Sequence, residues 1–392
     1  MSASCSSESS DTKLENSPEL LNNIDSRYAL YLFSNNKHAS NTELKPSSNE
    51  SVAFSKHESK ADSETPAICL SLLQGNLNAE QETVVRCYLL KTLSGREDLR
   101  FENEGKYATL QFSDDSSVTF GCYYHRLSKH SSNETYDASS QNETSSKLHT
   151  FFICLIGPSN GVMDSFCPEL GIYCQSLISL LDHEGQTDQE QVQAKLKNWY
   201  IYCIEYISRC VKNFKDDLAI VLQTSLWGNV DIKSDDEDLK WDLERLVQVC
   251  SLMPKSTNML KDFSCLDFCF KIEVNNGKIL MDKTVEIFPY CLRWLEKLKA
   301  CLPNDHVHLH SILEGFRLSA IQDINTLKRL LQKAKADHYS LYKAFQFLQA
   351  SGCEDILLFH VKHEANVTND EEALEIISCL QECLRNKKAS SV

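Results

Sequence analysis

Residues Phe316 to Val361 read FRLSAIQDINTLKRLLQKAKADHYSLYKAFQFLQASGCEDILLFHV, and their periodicity sets the fold class of the second half of the chain. Apolar residues recur at Phe316, Ala320, Ile321, Ile324, Leu327, Leu331, Ala334, Leu341, Phe345 and Leu348, the three-and-four spacing of one buried helical face. Gly352 follows where a left-handed residue would cap that helix. The string holds no nucleophile beside its base, no phosphate cradle and no metal shell. It predicts architecture, not chemistry.

Downstream, Ile356 to Val361 reads as a short strand or a helix end, and Asp370 to Asn386 as a last helix with Leu374, Ile377, Leu380 and Leu384 on one side. Upstream, helices are predicted over Lys283–Cys301 and from about Ser311. Another covers Asp235–Met253, whose acidic start SDDEDLKWDLERL suits the positive end of a helix. Asn276-Gly277 inside Phe268–Met281 is the turn signal of a minor hairpin. The spacing also predicts helices over Gly161–Leu181 and Gln189–Trp227, the second broken near Asn213. Trp199, Tyr200, Tyr202 and Tyr206 fall at helical spacing within it and read as core, or as an interface where exposed.

The first half changes period. Tyr28–Phe33 (YALYLF) and Ile68–Leu73 (ICLSLL) read as strands. Asn76 or Asn78 then caps a helix that stops at Gly95. Tyr107–Phe112 and Val118–Leu127 alternate about the turn SDDSS as a hairpin, and the wholly apolar Phe151–Ile156 (FFICLI) should be central in a sheet. Strand, strand, helix, three strands, helix, helix is the order of a longin domain. The predicted class is therefore α+β, a longin-like sheet-and-helix domain followed by a mainly α-helical domain. The domains expected are an acidic, Ser-rich disordered tail at 1–26, the longin-like domain at 27–185 with polar inserts at 34–65 and 130–147, the helical domain at 186–386, and a tail at 387–392.

Composition narrows the function classes. A chain of 392 residues with 42% hydrophobic content can build two cores. A net charge of -15 argues against a general nucleic-acid binder and against an electrostatic anchor on anionic lipid. No apolar run approaches the roughly 20 residues that span a bilayer. The polar N-terminus MSASCSSESSDTKLENS is no signal peptide, which places the chain in the cytosol. In that reduced compartment the 17 cysteines read as small buried hydrophobes, and the sequons at Asn49, Asn133, Asn142 and Asn366 are not glycosylation sites.

Several constellations invite a chemical reading. His306, His308 and His310 would share one face if extended and could bind zinc, although no carboxylate or Cys partner stands beside them. Cys265 with Cys269 and Cys379 with Cys383 are four apart, without the paired spacing of a zinc site. The turn Gly157–Gly161 is placed like a phosphate loop but lacks the Gly-Lys-[Ser/Thr] ending, and Pro158 removes a donor. Asp235–Asp238 does not have the spacing of a calcium loop and reads as a solvated helix start. Asp337-His338-Tyr339 has the residue types of a relay, but helical neighbours diverge. No catalytic residue, cofactor site or metal site is assigned, and the chain is expected not to be an enzyme.

Phe316–Lys328 (FRLSAIQDINTLK), Asp337–Lys343 (DHYSLYK), Asp355–Leu358 (DILL), Gly121–Tyr124 (GCYY) and Ile153–Gly157 (ICLIG) together resemble, in wording and order, the Njmu-R-one family. The resemblance implies the third subunit of a complex with a WD40-repeat protein (WDR-eleven) and a FAM-ninety-one-A protein. That complex helps trans-Golgi golgins, through a TBC-domain bridging protein, to capture endosome-derived vesicles. It implies a cytoplasmic, peripheral location at the trans-Golgi network and on vesicles, with spermatogenesis as one setting. Two other readings stand beside it: a small-GTPase (Rab/Arf) binding or exchange module using the longin-like domain, and a metal enzyme using His306, His308 and His310.

Overall fold

The computed structural model describes residues 26–36, 67–94, 105–111, 119–129, 149–181, 189–228, 230–252, 270–275, 277–281 and 286–390. The N-terminal tail before Ser26, most of the insert at 34–65, the insert at 130–147, the SDDSS turn, Asn276, and Cys265 with Cys269 lie outside them. So do the sequons at Asn49, Asn133 and Asn142.

The fold is α+β, an N-terminal antiparallel sheet followed by a mainly helical region. It divides into two compact units: Met1–Glu104, Ala108–Gly157 and Ile178–Lys197 form the first, and Gly105–Tyr107, Pro158–Leu177 and Asn198–Val392 the second. The chain thus joins the second unit briefly at Gly105–Tyr107, again over Pro158–Leu177, and finally from Asn198.

The sheet elements are β1 (Arg27–Asn36), β2 (Ala67–Gly75), α1 (Ala79–Ser94), β3 (Gly105–Gln111), β4 (Thr119–Lys129) and β5 (His149–Pro158), with α4 (Gln189–Lys197) later in the chain; all lie in the first unit except the first three residues of β3 and the last of β5. The sheet order is β2-β1-β5-β4-β3. Apolar β5 lies in the middle, where a strand without polar positions must lie. β1 is antiparallel to both β2 and β5, pairing Leu32 with Ser71 and Leu30 with Ile153. It continues three residues past its predicted end, to Asn36, because pairing with β2 persists out to Ala67.

Alternation sends Ala29, Tyr31, Cys122, Tyr124, Phe152 and Cys154 to one face, where Val85 and Leu89 of α1 complete the core. Asn78 and not Asn76 caps α1: its Oδ1 accepts the Gln81 amide at 2.8 Å, and Gln81 Oε1 accepts the Asn78 amide at 3.2 Å.

His125 of β4 is buried, with Nδ1 3.2 Å from the Tyr123 hydroxyl, and burial pushes its pKa down to about 4. A folded pKa below the unfolded value means that the unfolded chain takes the proton first. The neutral imidazole's contribution is therefore intact above the unfolded pKa and declines as pH falls toward the folded one. Lowering the pH from about 7 to about 5 is expected to remove about 2 kcal/mol of stability through this residue. Urea melts of wild type and His125→Asn check it. A variant with the same pH slope as wild type would refute the assignment.

The helical unit begins with α2 (Val162–Ser165) and α3 (Cys167–Ser176), where one helix from Gly161 to Leu181 was expected. Phe166, between them, packs edge-on to Tyr206 at 6.5 Å and against His310 at 4.4 Å. The long helix predicted to Trp227 is also segmented. After α4 come a π turn over Ile201–Glu205, α5 (Tyr206–Phe214), a 3-10 turn at Lys215–Asp217 and α6 (Leu218–Trp227). The break falls beside Asn213, at Lys215, whose φ is 48°. α7 (Glu237–Cys250) is capped by Asp236, which accepts the amides of Asp238 and Leu239.

Before α7 lies a strand the periodicity did not predict, β6 (Val230–Ser234), parallel to β7 (Phe270–Asn275). β7 and β8 (Lys278–Met281) are the expected hairpin, with Gly277 at φ 74° in the turn. VDIKS fixes only Ile232 in the core, too little to read as a strand. α8 (Pro289–Ala300) begins later than Lys283, at the proline suited to a first helical turn.

The Phe316 run is two helices, not one: α9 (His306–Ala334) and α10 (His338–Ser351). Asp337 separates them because its carboxylate accepts the amides of Tyr339 and Ser340 at 2.9 and 3.1 Å, which starts a new helix. Gly352 caps α10 at φ 72°, as its position predicted. Residues Ile356–Val361 are helix and not strand, within α11 (Glu354–Thr368), burying Leu357, Leu358 and Val361. α12 (Glu371–Ser390) continues through the first residues of the expected tail. Among the described residues no helix is long and apolar enough to cross a membrane.

Candidate interaction surface

The three histidines occupy the first turns of α9, not an extended segment, because Asp305 accepts the His308 amide at 3.1 Å and starts the helix there. Helical geometry disperses them. His310 is buried, its Nε2 3.1 Å from Glu169 Oε1. His306 lies half-buried, edge-on to Tyr200 at 6.1 Å, and burial lowers its pKa. His308 points to solvent. No cluster of three or more His, Cys, Asp or Glu residues placed to hold a metal occurs among the described residues.

The other candidates resolve into local structure. Gly161, at φ 82°, starts the four-residue α2, and the Asn160 side chain accepts the Val162 amide at 3.3 Å within the turn. Asp235–Asp238 is a helix cap. Cys379 and Cys383 are exposed on α12. Cys203 and Cys250 are buried, and burial raises both thiols to about 12, which keeps them protonated. Trp199, Tyr200 and Tyr206 are core. Tyr202 is half-buried, stacked on Tyr173 and donating to Asp238 at 3.1 Å.

Among the described residues the exposed aromatic side chains lie on α10. Ser340, Ala344, Leu348 and Ser351 turn inward, so residues three and four apart on the other side form a second face. Tyr339 and Tyr342 are 62% and 54% exposed there. Lys343 Nζ sits 4.4 Å over the Tyr339 ring, and Gln346 Nε2 donates to Tyr342 Oη at 2.8 Å. The pair is thus held in place before any contact is made, which lowers the entropy lost on binding. Exposed tyrosines are the residue type that anchors protein interfaces. The string DHYSLYK carried this signal as aromatics three apart on the face away from Leu341, although its helical face only became defined once Asp337 was seen to start a helix.

Comparison with known proteins adds an independent line. A model described as the Njmu-R1-like protein family matches residues 28–386. Protein Njmu-R1 of Mus musculus is 28% identical over 340 residues, covering 83% of this chain and 83% of that protein. No solved structure matches.

Proposed function

Because the chain belongs to the Njmu-R1-like protein family, we propose that it acts as a non-enzymatic subunit of a vesicle-tethering complex. Its partners are a WD40-repeat protein (WDR-eleven) and a FAM-ninety-one-A protein. Through them, and through a TBC-domain bridging protein, it assists trans-Golgi golgins in capturing endosome-derived vesicles. It works in the cytoplasm, peripheral to the trans-Golgi network, and serves spermatogenesis among other settings.

The observation that carries the reading is the family match, which runs from the first strand of the sheet to the last helix. The exposed tyrosine face of α10 supports it, since a subunit that works by contact needs anchored surface. Immunoprecipitation of the tagged chain tests it. Recovery of both partners is the expected result, and recovery of neither under conditions that preserve other tethers would end the proposal. Tyr339→Ala with Tyr342→Ala is expected to lower partner recovery about tenfold or more. The melting temperature should stay near wild type, because both side chains are exposed.

A further inference from the structure

The last helix carries a pair of accessible thiols. α12 turns Ala373, Ile377, Leu380 and Leu384 inward, and Cys379 and Cys383 are both exposed. Four residues apart, they stand one turn from each other on one side of the helix. Their sulfurs lie within hydrogen-bonding reach of one another. The Cys379 thiol is held above its ordinary range by its partial burial, by Cys383 and by Glu382.

Two sulfurs so placed have two chemistries open to them, a disulfide or a shared metal ion, and helix geometry decides between these. A disulfide needs Cβ atoms about 3.5–4.5 Å apart. Residues one turn apart on a helix hold theirs about 5–6 Å apart, so an S–S bond requires the helix to unwind there. Leu380 and Leu384, buried between and beside the two cysteines, oppose that. A metal ion removes the conflict. With metal–sulfur bonds of about 2.3 Å, it bridges sulfurs up to about 4.6 Å apart and leaves the backbone in place.

The donor set then selects the ion. Thiolate is a soft ligand that favours Cu(I) and zinc. Structural zinc takes four ligands, and among the described residues no third His, Cys, Asp or Glu is placed with the pair to hold a metal. Two sulfurs alone complete the linear shell of Cu(I). Glu375, one turn before Cys379, and Glu382, next to Cys383, are exposed and add negative charge that draws a cation. We infer that Cys379 and Cys383 form a two-thiolate clamp for a soft monovalent cation of the Cu(I) class. Binding breaks two S–H bonds, forms two sulfur–metal bonds and passes the protons to solvent, with no electron transferred.

The full chain is titrated anaerobically with Cu(I) against a chromophoric Cu(I) chelator, and the tightly bound copper is counted. Wild type is expected to hold one more Cu(I) per chain than Cys379→Ser, Cys383→Ser or the double variant. Either single substitution leaves one sulfur and should weaken the site about a hundredfold or more. Counting the difference separates this site from the other cysteines, including the similarly spaced Cys265 and Cys269. Cys87→Ser, which removes an exposed thiol on α1, should keep the wild-type count. Both positions on α12 are exposed, so the metal-free variants should melt with wild type.

A second arm needs no variant. Saturating Cu(I) should shield both Cys379 and Cys383 of the wild-type chain from iodoacetamide, read by peptide mass spectrometry. Equal copper counts in wild type and the double variant, a single variant that keeps the ion, an equal loss in Cys87→Ser, or alkylation of the pair indifferent to Cu(I) overturns the inference.

Discussion

Arg209→Met is expected to lower the free energy of unfolding by about 3–5 kcal/mol, and adding Asp242→Leu to restore most of that loss. Arg209 of α5 grips Asp242 of α7 with both arms of its guanidinium, Nε to Oδ2 at 2.8 Å and Nη2 to Oδ1 at 2.5 Å. The carboxylate side chain is only 1% exposed. Burial raises the Asp242 pKa above its ordinary value, and Arg209 brings it only part of the way back. The attraction of Arg209 thus works against the cost of burying the carboxylate, and removing the guanidinium strands a buried charge.

The double variant removes both charges, so it should behave far better than the single one. Recovery will be incomplete, since Arg209 Nη1 also donates to the Ile201 carbonyl at 2.8 Å in the π turn. Urea unfolding of wild type and the two variants decides it. A double variant as unstable as Arg209→Met would show that the guanidinium acts mainly through something other than Asp242.

Phe316→Ala should cost a similar amount, about 3–5 kcal/mol, for a different reason. Its ring is fully buried against Tyr290 at 5.4 Å and edge-on to Trp294 at 6.1 Å. The Phe316 carbonyl also accepts the Tyr290 hydroxyl at 2.6 Å. Gly315 leaves no room for repacking from its side, because a Cβ there would stand 3.1 Å from the Trp294 ring. Tyr290→Phe removes only the hydrogen bond and is expected to cost about 1 kcal/mol. Chemical denaturation separates the two. Equal losses would mean that the hydrogen bond, and not aromatic packing, holds α8 to α9.

The sheet was legible because strand signals are local: β1 and β2 each carry a short apolar run, and β5 announces its central place through the unbroken apolar run Phe151–Ile156. Helical faces were legible for the same reason, but not all of their ends were. The apolar period runs on past Asp337, so only the side chain's hold on two following amides reveals that α9 and α10 are separate. β6 escaped because a five-residue strand with one core side chain has no period.

The three histidines would share a face only on an extended backbone, and Asp305 begins a helix there. Partnerships across long stretches of chain, such as Arg209 with Asp242 or Glu169 with His310, leave no mark on spacing at all. Asn78 and Gln81, three residues apart, were a readable cap signal.

The seat of β1 between β2 and β5 also sets a timetable for synthesis. Leu30 meets Ile153 only after most of the first unit has left the ribosome. Until then a nascent chain carries Tyr28–Leu32 with one side of its backbone unmatched. Closing such a distant pair is slow compared with forming neighbouring helical turns. During translation this open strand edge is exposed to pairing with another chain until β5 arrives.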